Sequence, residues 1–250
     1  MKKILSIILS ALFLFVFVGC SSNSSGPAKD EISSSGETYT DKVTLSDGAY
    51  IVKDYTNGIL TKESHYYSDG TLERTIEYLE YNKKGALIKK HTHYSNGSAI
   101  FCYDDNGNTI ETIEYDADGN VDFSAKWEYD KNGNNTTFSK FNKDGILVLY
   151  EEFDENGNRT KEINYNDDGS LSAEFTFEYN SLGKIVKKTD YYAEYDSHKY
   201  YIYEYNSDNR LIKRYYYIDN DILERIREYD PETGMQINET FYNTDENYNL

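Results

Sequence analysis

Apolar and polar residues alternate along much of the chain, and this alternation predicts β-strands. Between Val121 and Tyr129, apolar side chains occupy every second position and polar ones fill the positions between them. The segment from Leu171 to Tyr179 repeats the pattern. A period of two with one polar side indicates strands that bury one face and expose the other. Because no stretch shows convincing helical periodicity, we expect an all-β fold.

Turn signals separate these strands at regular intervals. From Gly48 to Gly183 the glycines recur at steps of 10 to 15 residues, and ten of the twelve follow Asn or Asp. Asn-Gly and Asp-Gly pairs favour two-residue hairpins with a type I′ turn. The chain is therefore predicted to repeat a hairpin unit. Most of these glycines have an aromatic residue four positions earlier: Tyr81, Tyr103, Tyr115, Tyr129, Phe141, Phe153, Tyr165 and Tyr179.

The repeat is predicted to continue after Gly183, where most turns lack the glycine. Asn and Asp are the residues other than Gly that best tolerate the left-handed conformation. Residues 44–243 are therefore expected to form an elongated repeat sheet of stacked antiparallel β-hairpins, a meander that is open or curls like a solenoid. The later copies are Tyr195-Asp196 with Lys199, Tyr205-Asn206 with Asn209, Tyr217 with Asp221, and Tyr229 to Gly234.

The N-terminal segment has the layout of an export signal. Two lysines precede an apolar run from Ile4 to Val18, and the run is too short to span a bilayer as a helix. Phe17-Val18-Gly19-Cys20 resembles the lipobox of bacterial lipoproteins, which implies cleavage before Cys20 and acylation of that residue. A plain signal peptide with an incidental cysteine is the alternative. The resemblance implies an extracytoplasmic protein, held by lipid in the bacterial cell envelope.

Domain boundaries follow from these segments. Residues 1–19 are predicted to be the lipoprotein signal peptide. Residues 20–43 are Ser-rich and lack apolar periodicity, so we expect the acylated Cys20 to be followed by a flexible tether. Residues 44–243 are the predicted repeat domain, and residues 244–250 are a short tail.

The repeat copies YDADGNV, YDKNGNN, FDENGNR, YNDDGSL and YNSLGKI resemble the YD repeats of the RHS family. They are also similar to the variant MORN-type repeats of short bacterial secreted proteins. Both resemblances imply antiparallel hairpins stacked into a long, twisted and often curling sheet. The chain is far shorter than the closed shell of RHS proteins and contains nothing like their cleavage region or toxin tail. The resemblance therefore implies the architecture without toxin delivery.

Charge narrows the range of partners. The chain has 44 acidic residues against 26 Lys and Arg, which gives a formal net charge of -18. Nucleic-acid phosphates and anionic lipid surfaces would repel such a chain, so neither is expected as the main partner. Apart from the membrane reached through the N-terminal lipid, the expected partner is a glycan or an extracellular protein.

Tyrosine is the most prominent candidate for recognition, since the chain has 27. Tyrosines within the repeat frame are interpreted as packing residues that stabilise cross-strand pairs. The tyrosines after residue 190 exceed what the repeat requires, and because neighbouring strand positions face opposite ways, some must lie on the polar side. This region is our candidate contact surface, which comprises Tyr191, Tyr192, Tyr195, Tyr200, Tyr201, Tyr203, Tyr205, Tyr215 and Tyr216, with Tyr217 beside them.

Metal ligands and cofactors are not predicted. Asp116, Asp118, Asn120 and Asp122 have the spacing of calcium-loop ligands, but Gly119 stands at position four instead of six and no Glu stands at twelve. Turn preference explains these residues without a metal, so they remain weak candidates.

Two histidines form a second candidate metal pair. His91 and His93 lie two positions apart, on one strand face, where they could bind zinc. The sequence indicates no third ligand, and His65 and Cys102 are candidates by elimination only. A solvated basic strand is the favoured interpretation of the pair. Cys102 itself is expected to be a small buried hydrophobe.

Catalysis is not expected. The chain has no GxSxG, GxGxxG, Walker, CxxC or HExxH motif, and its carboxylates are too numerous to single out an acid–base pair. We expect a lipid-anchored binding or adhesive module for a glycan or protein partner. A structural envelope spacer or self-associating protein is the alternative. An immunity-like protein that neutralises a basic secreted toxin is a further hypothesis, since acidic charge would steer such a partner.

Overall fold

The computed structural model describes residues 36–219 and 221–242, which form seventeen β-strands and one 3-10 turn at Ala193–Tyr195. The described residues include no helix long and apolar enough to cross a membrane. The strands are β1 (Thr38–Thr44), β2 (Tyr50–Thr56), β3 (Ile59–Tyr66), β4 (Leu72–Tyr81), β5 (Leu87–Tyr94), β6 (Gly97–Tyr103), β7 (Thr109–Tyr115), β8 (Val121–Tyr129), β9 (Asn135–Asn142), β10 (Leu147–Phe153), β11 (Arg159–Tyr165), β12 (Leu171–Tyr179), β13 (Ile185–Tyr192), β14 (Ser197–Tyr205), β15 (Leu211–Ile218), β16 (Ile222–Tyr229) and β17 (Gln236–Phe241).

The strands form a single antiparallel meander. Each strand pairs with the next along the chain, from β1 with β2 through to β16 with β17. Strands β1 and β17 are the edges, so the sheet is not closed. The predicted all-β repeat sheet of antiparallel hairpins is confirmed.

Most turns differ from the predicted type I′ geometry. In a representative loop, the Asp104 amide donates to the Asn108 carbonyl at 2.9 Å and the Gly107 amide donates to the Asp104 carbonyl at 3.1 Å. Gly107 has φ +87°, whereas Asn106 is not in the left-handed region. This is a three-residue loop, in which a type I turn precedes a left-handed glycine bulge.

The side chain of the first Asp or Asn in each loop explains why a three-residue loop forms instead of a type I′ turn. Asp104 Oδ1 accepts hydrogen bonds from the amides of Asn106 at 2.9 Å and Asn108 at 2.8 Å. These bonds satisfy loop amides that a two-residue turn would not contain. The type I′ prediction holds at Asn57-Gly58, where both residues have positive φ, of 52° and 77°.

After residue 190, Asn and Asp take the place of the turn glycine as predicted. Asn209 and Asp221 have φ values of 59° and 60°. The turn predicted at Tyr195-Asp196 with Lys199 is wrong in its position. The left-handed turn residue is Asp196, with φ 45°, whereas Lys199 lies within β14. Tyr192, rather than Tyr195, is the aromatic residue four positions before it.

The sheet begins earlier than residue 44. Strand β1 starts at Thr38, so the last residues of the predicted tether form an edge strand that is exposed along its whole length. Its segment TYTDKVT lacks the apolar content that marks the other strands, and backbone pairing with β2 holds it in place. Cys20, the rest of the N-terminal segment and the C-terminal tail lie outside the described residues.

The two faces of the sheet follow from register, because directly paired residues share a face. We call them the Trp127 face and the Cys102 face. On the Cys102 face, Cys102 is 1% exposed, so the burial predicted for it is confirmed. Most of the buried side chains lie on the Trp127 face: Glu63, Thr92, Ala99, Thr112, Ala125, Ala173 and Asp190.

We call the tyrosines that stand four positions before a left-handed turn residue the frame tyrosines. Several of them hydrogen-bond to the neighbouring turn at the same edge of the sheet. The Tyr129 hydroxyl donates to the Thr109 carbonyl at 2.8 Å, and the Tyr179 hydroxyl donates to the Arg159 carbonyl at 2.7 Å. Each accepting carbonyl lies two residues after the turn glycine of the preceding turn on that edge. Tyr81 with Leu60, at 2.6 Å, and Tyr205 with Ile185, at 2.8 Å, follow the same rule.

Candidate binding surface

The tyrosines after residue 190 lie on both faces of the sheet, as strand alternation requires. The Tyr205 hydroxyl makes one of the bonds to a neighbouring turn described above. Tyr195 lies in the 3-10 turn and is 72% exposed. The Trp127 face carries Tyr192, Tyr201, Tyr203 and Tyr216, and the Cys102 face carries Tyr191, Tyr200, Tyr215 and Tyr217.

On the Cys102 face the rings are engaged with one another. Tyr200 and Tyr217 stack with centroids 4.4 Å apart and planes 6° apart. Tyr191 packs on His198 at 4.5 Å. The Tyr215 hydroxyl donates to Glu204 at 2.8 Å. These side chains form cross-strand pairs that stabilise the sheet.

The Trp127 face carries a different arrangement, in which cations lie between the rings. Strands β12 to β16 bring these residues into neighbouring rows, since Phe175 pairs with Asp190, Lys188 with Tyr201, and Tyr201 with Tyr216. We call this group the cation–aromatic cluster. It consists of Phe175, Lys188, Asp190, Tyr201, Arg214, Tyr216 and Arg225.

Distances within the cation–aromatic cluster fall in the range of cation–π contacts. Lys188 Nζ lies 5.0 Å from the Phe175 ring centroid and 5.9 Å from that of Tyr201. The Arg214 guanidinium lies 5.7 Å from the Tyr201 ring, and the Tyr201 and Tyr216 centroids are 5.0 Å apart. Such contacts are strongest when water is partly excluded.

Asp190 is the buried acidic member of the cation–aromatic cluster, and it pairs with one of the cations. The residue is 4% exposed, and its Oδ1 lies 2.8 Å from Lys188 Nζ. That contact is an ion pair without hydrogen-bond alignment, so Oδ1 has no hydrogen-bond partner. A buried carboxylate so placed holds the Lys188 ammonium between the rings.

The local charge is opposite to that of the whole chain. On the Trp127 face, the paired positions of β13 to β17 present five cations and two carboxylates, and Glu224 at the β16 bulge adds its charge beside Tyr216. This part of the Trp127 face is therefore basic, although the chain as a whole is acidic. The cations at paired positions are Lys188, Lys199, Arg214, Arg225 and Arg227, and the carboxylates at paired positions are Asp190 and Glu239.

The phenols of the cluster stay protonated at neutral pH. Burial, followed by the charge of Asp190, raises the pKa of Tyr201. Burial, followed by Tyr201, raises the pKa of Tyr216 to about 12. A protonated phenol both donates and accepts hydrogen bonds, so the cluster combines apolar rings, cations and neutral hydroxyls.

The calcium-like candidates have a structural role in their turn. Asp116 Oδ1 accepts hydrogen bonds from the amides of Asp118 at 3.0 Å and Asn120 at 2.8 Å. These bonds lower the pKa of Asp116, with the Asn120 amide as the largest cause. Among the described residues, the carboxylates of Asp116, Asp118 and Asp122 are not part of a convergent ligand group.

Neither residue considered as a third zinc ligand lies with His91 and His93. His65 is on the Trp127 face, where its Nε2 lies 3.1 Å from Glu63. Cys102 lies in β6, where it pairs with Lys89 of β5, and it is not part of the group formed by Glu77, His91 and His93.

Sequence analysis identified the tyrosines of the cation–aromatic cluster but not its charged members. Lys188 and Asp190 stand two positions apart in the sequence, as do Tyr201 and Tyr203, and that spacing places each pair on one face. The missing information was the pairing of β13 with β14 and of β14 with β15, which puts Lys188 and Arg214 beside Tyr201 and Tyr203.

A family model described as a protein of unknown function (DUF2963) matches residues 141–190. The comparison with curated proteins gives no match. The chain is similar to a porin-like protein from Bacteroides uniformis, at 12% identity and a TM-score of 0.30, with 82% of this chain and 95% of that chain covered. It is also similar to a chain of the TcdB2-TccC3-Cdc42 structure, at 9% identity and a TM-score of 0.22. That match covers 80% of this chain and 16% of the other. Values this low transfer no function to this chain.

Proposed function

We propose that the protein is a binding module of the bacterial cell envelope and that its cation–aromatic cluster binds an anionic glycan. The observation that carries this proposal is the placement of Lys188, Arg214 and Arg225 against the rings of Phe175, Tyr201 and Tyr216. The chain as a whole has a formal net charge of -18, and the contrast with this basic aromatic surface supports a role in binding an anionic ligand.

An acidic sugar polymer matches each feature of the surface. Tyrosine rings pack against the apolar faces of sugar rings, while phenol hydroxyls exchange hydrogen bonds with sugar hydroxyls. Lysine and arginine pair with carboxylate or sulfate groups. An extended sheet also suits an extended polymer, because neighbouring strands offer successive contacts.

Location enters the proposal through the sequence. The lipobox-like Phe17-Val18-Gly19-Cys20 supports attachment to the membrane through an acylated Cys20. The likeness to YD and variant MORN-type repeats supports the hairpin architecture. We do not extend it to toxin activity. We expect neither catalysis nor nucleic-acid binding. Cys20→Ala should release the protein from membranes into the soluble fraction, and continued tight membrane association would contradict the anchor.

Self-association through the sheet edge is a second candidate function. Strand β17 is an edge strand among the described residues, and apolar side chains around it are exposed. Met235 is 70% exposed, Ile237 65% and Phe241 56%. Long exposed apolar edges favour pairing with another chain. Light scattering over a concentration series tests this, and a monomer at every concentration would exclude the spacer hypothesis based on this edge.

An immunity-like role receives less support from the cluster. Neutralising a basic toxin requires an acidic contact surface, and the cation–aromatic cluster is basic.

Affinity electrophoresis of the full-length chain tests glycan binding. Gels containing polygalacturonate or hyaluronate should retard the protein, and gels containing neutral dextran should not. Because ion pairing is screened by salt, raising the ionic strength should weaken the retardation. Equal mobility in all gels would overturn the proposal, and equal retardation by dextran would remove the role of the cations.

A further inference from the structure

Three potential metal ligands converge on the Cys102 face, on the opposite face of the sheet from the cation–aromatic cluster. Strands β4 and β5 pair Glu77 with His91, and His93 lies two positions further along β5. One ligand atom from each residue lies within 4.8 Å of the others. Sequence spacing identified the two histidines, and the third ligand, Glu77, comes from strand register alone.

The histidine rings are held close together. The His91 and His93 centroids are 3.9 Å apart, and His93 Nε2 lies 3.7 Å from a Glu77 carboxylate oxygen. Two imidazole rings this close place one nitrogen of each within reach of a single ion.

His91 has a ring nitrogen without a hydrogen-bond partner. Its Nε2 is buried and has no hydrogen-bond partner. A buried polar atom without a partner costs free energy, and a bound cation would remove that cost.

We propose that Glu77, His91 and His93 form a binding site for a divalent transition metal of the zinc class. Two imidazole nitrogens and one carboxylate suit Zn²⁺ and Co²⁺, whereas Ca²⁺ and Mg²⁺ prefer oxygen ligands only. Three protein ligands leave a fourth position for water or a partner group.

The site is accessible and needs only side-chain adjustment. The His93 and Glu77 side chains are 42% and 41% exposed, so an ion reaches them from solvent. Metal–ligand bonds of about 2.0–2.2 Å bring tetrahedral ligands to about 3.3 Å from one another. Rotation about the side-chain torsions of Glu77 and His93 closes the present gap without moving the strands.

Calorimetric titration of the full chain tests the site. The protein is prepared without a histidine tag, stripped with EDTA and titrated with ZnCl₂. We expect one equivalent to bind, and Glu77→Gln and His93→Gln each to weaken binding at least about tenfold. His65→Gln and His198→Gln are matched controls on other histidines and should bind as the native chain does. Equal Zn²⁺ affinity in the native chain and the His93→Gln variant would overturn the proposal.

Cobalt gives a readout that does not depend on variant stability. Native chain loaded with CoCl₂ should show the visible absorption of tetrahedral Co²⁺, and CaCl₂ in excess should leave that absorption unchanged. Circular dichroism of each variant checks that the sheet is intact. Absence of the absorption, or its full displacement by Ca²⁺, would contradict a site built from imidazole ligands.

Discussion

Two buried carboxylates on the Trp127 face differ in the side chains that surround them. Glu63 in β3 and Asp190 in β13 are 8% and 4% exposed. Glu63 Oε1 lies 3.0 Å from Lys53 Nζ, and Glu63 Oε2 lies 3.1 Å from His65 Nε2. Asp190 has Lys188 at 2.8 Å in an unaligned ion pair.

The surroundings of the two carboxylates differ as much as their partners do. Tyr78 also lowers the pKa of Glu63, so Lys53, His65 and Tyr78 together favour its charged form. Around Asp190, Lys188 and Arg214 flank the Tyr201 ring, and Arg225 lies 5.1 Å from the Tyr216 ring centroid while pairing with Glu239 at 3.4 Å. The first centre is complete without a ligand, and the second presents groups that a ligand can use. The same repeat therefore supports both by changing only face residues.

The largest expected effect comes from breaking the Glu63 centre. Glu63→Ala removes the acceptor of Lys53 and His65 and should lower the free energy of unfolding by about 1–3 kcal/mol. Asp190→Asn should cost less than about 1 kcal/mol, because Lys188 is 29% exposed and regains water. Urea unfolding followed by circular dichroism gives both values. A larger loss for Asp190→Asn would reverse the assigned roles.

Acid should weaken the Glu63 centre in a defined direction. Burial alone would raise the pKa of Glu63, but hydrogen bonds from Lys53, His65 and Tyr78 outweigh it and lower the pKa below its ordinary value of 4.5. A lowered folded pKa means that the contribution is present above pH 4.5 and is lost as pH falls through the folded value. The stability difference between the native chain and Glu63→Gln should therefore shrink below pH 4.5. An unchanged difference in acid would contradict the network.

A smaller effect is expected from the frame tyrosines. Tyr129→Phe removes the hydroxyl that donates to Thr109 and should cost about 0.5–1.5 kcal/mol in urea unfolding. Phe153 occupies the equivalent frame position without a hydroxyl, so Phe153→Tyr is the reverse control and should be neutral or stabilising. Equal destabilisation by both substitutions would show that ring packing, and not the hydroxyl bond, is what matters.

The sequence predicts the parts of this structure that depend on local chemistry. Alternation from Val121 to Tyr129 predicts a strand, and the Asx and Gly positions predict where chains turn, since both depend on neighbouring residues. Turn type was missed because the side chain of Asp104 competes for loop amides. The charged members of the cation–aromatic cluster and the ligand Glu77 depend on which strands pair and in what register, which one sequence does not specify.

Glycan binding by matched variants on the two faces tests the central claim most directly. Tyr201→Ala removes a ring of the cation–aromatic cluster, and Tyr200→Ala removes its sequence neighbour on the Cys102 face. Titration of polygalacturonate into each full-length variant should show affinity reduced about tenfold or more for Tyr201→Ala and near the native value for Tyr200→Ala. Equal losses in both variants, or a loss in Tyr200→Ala alone, would contradict recognition by the Trp127 face.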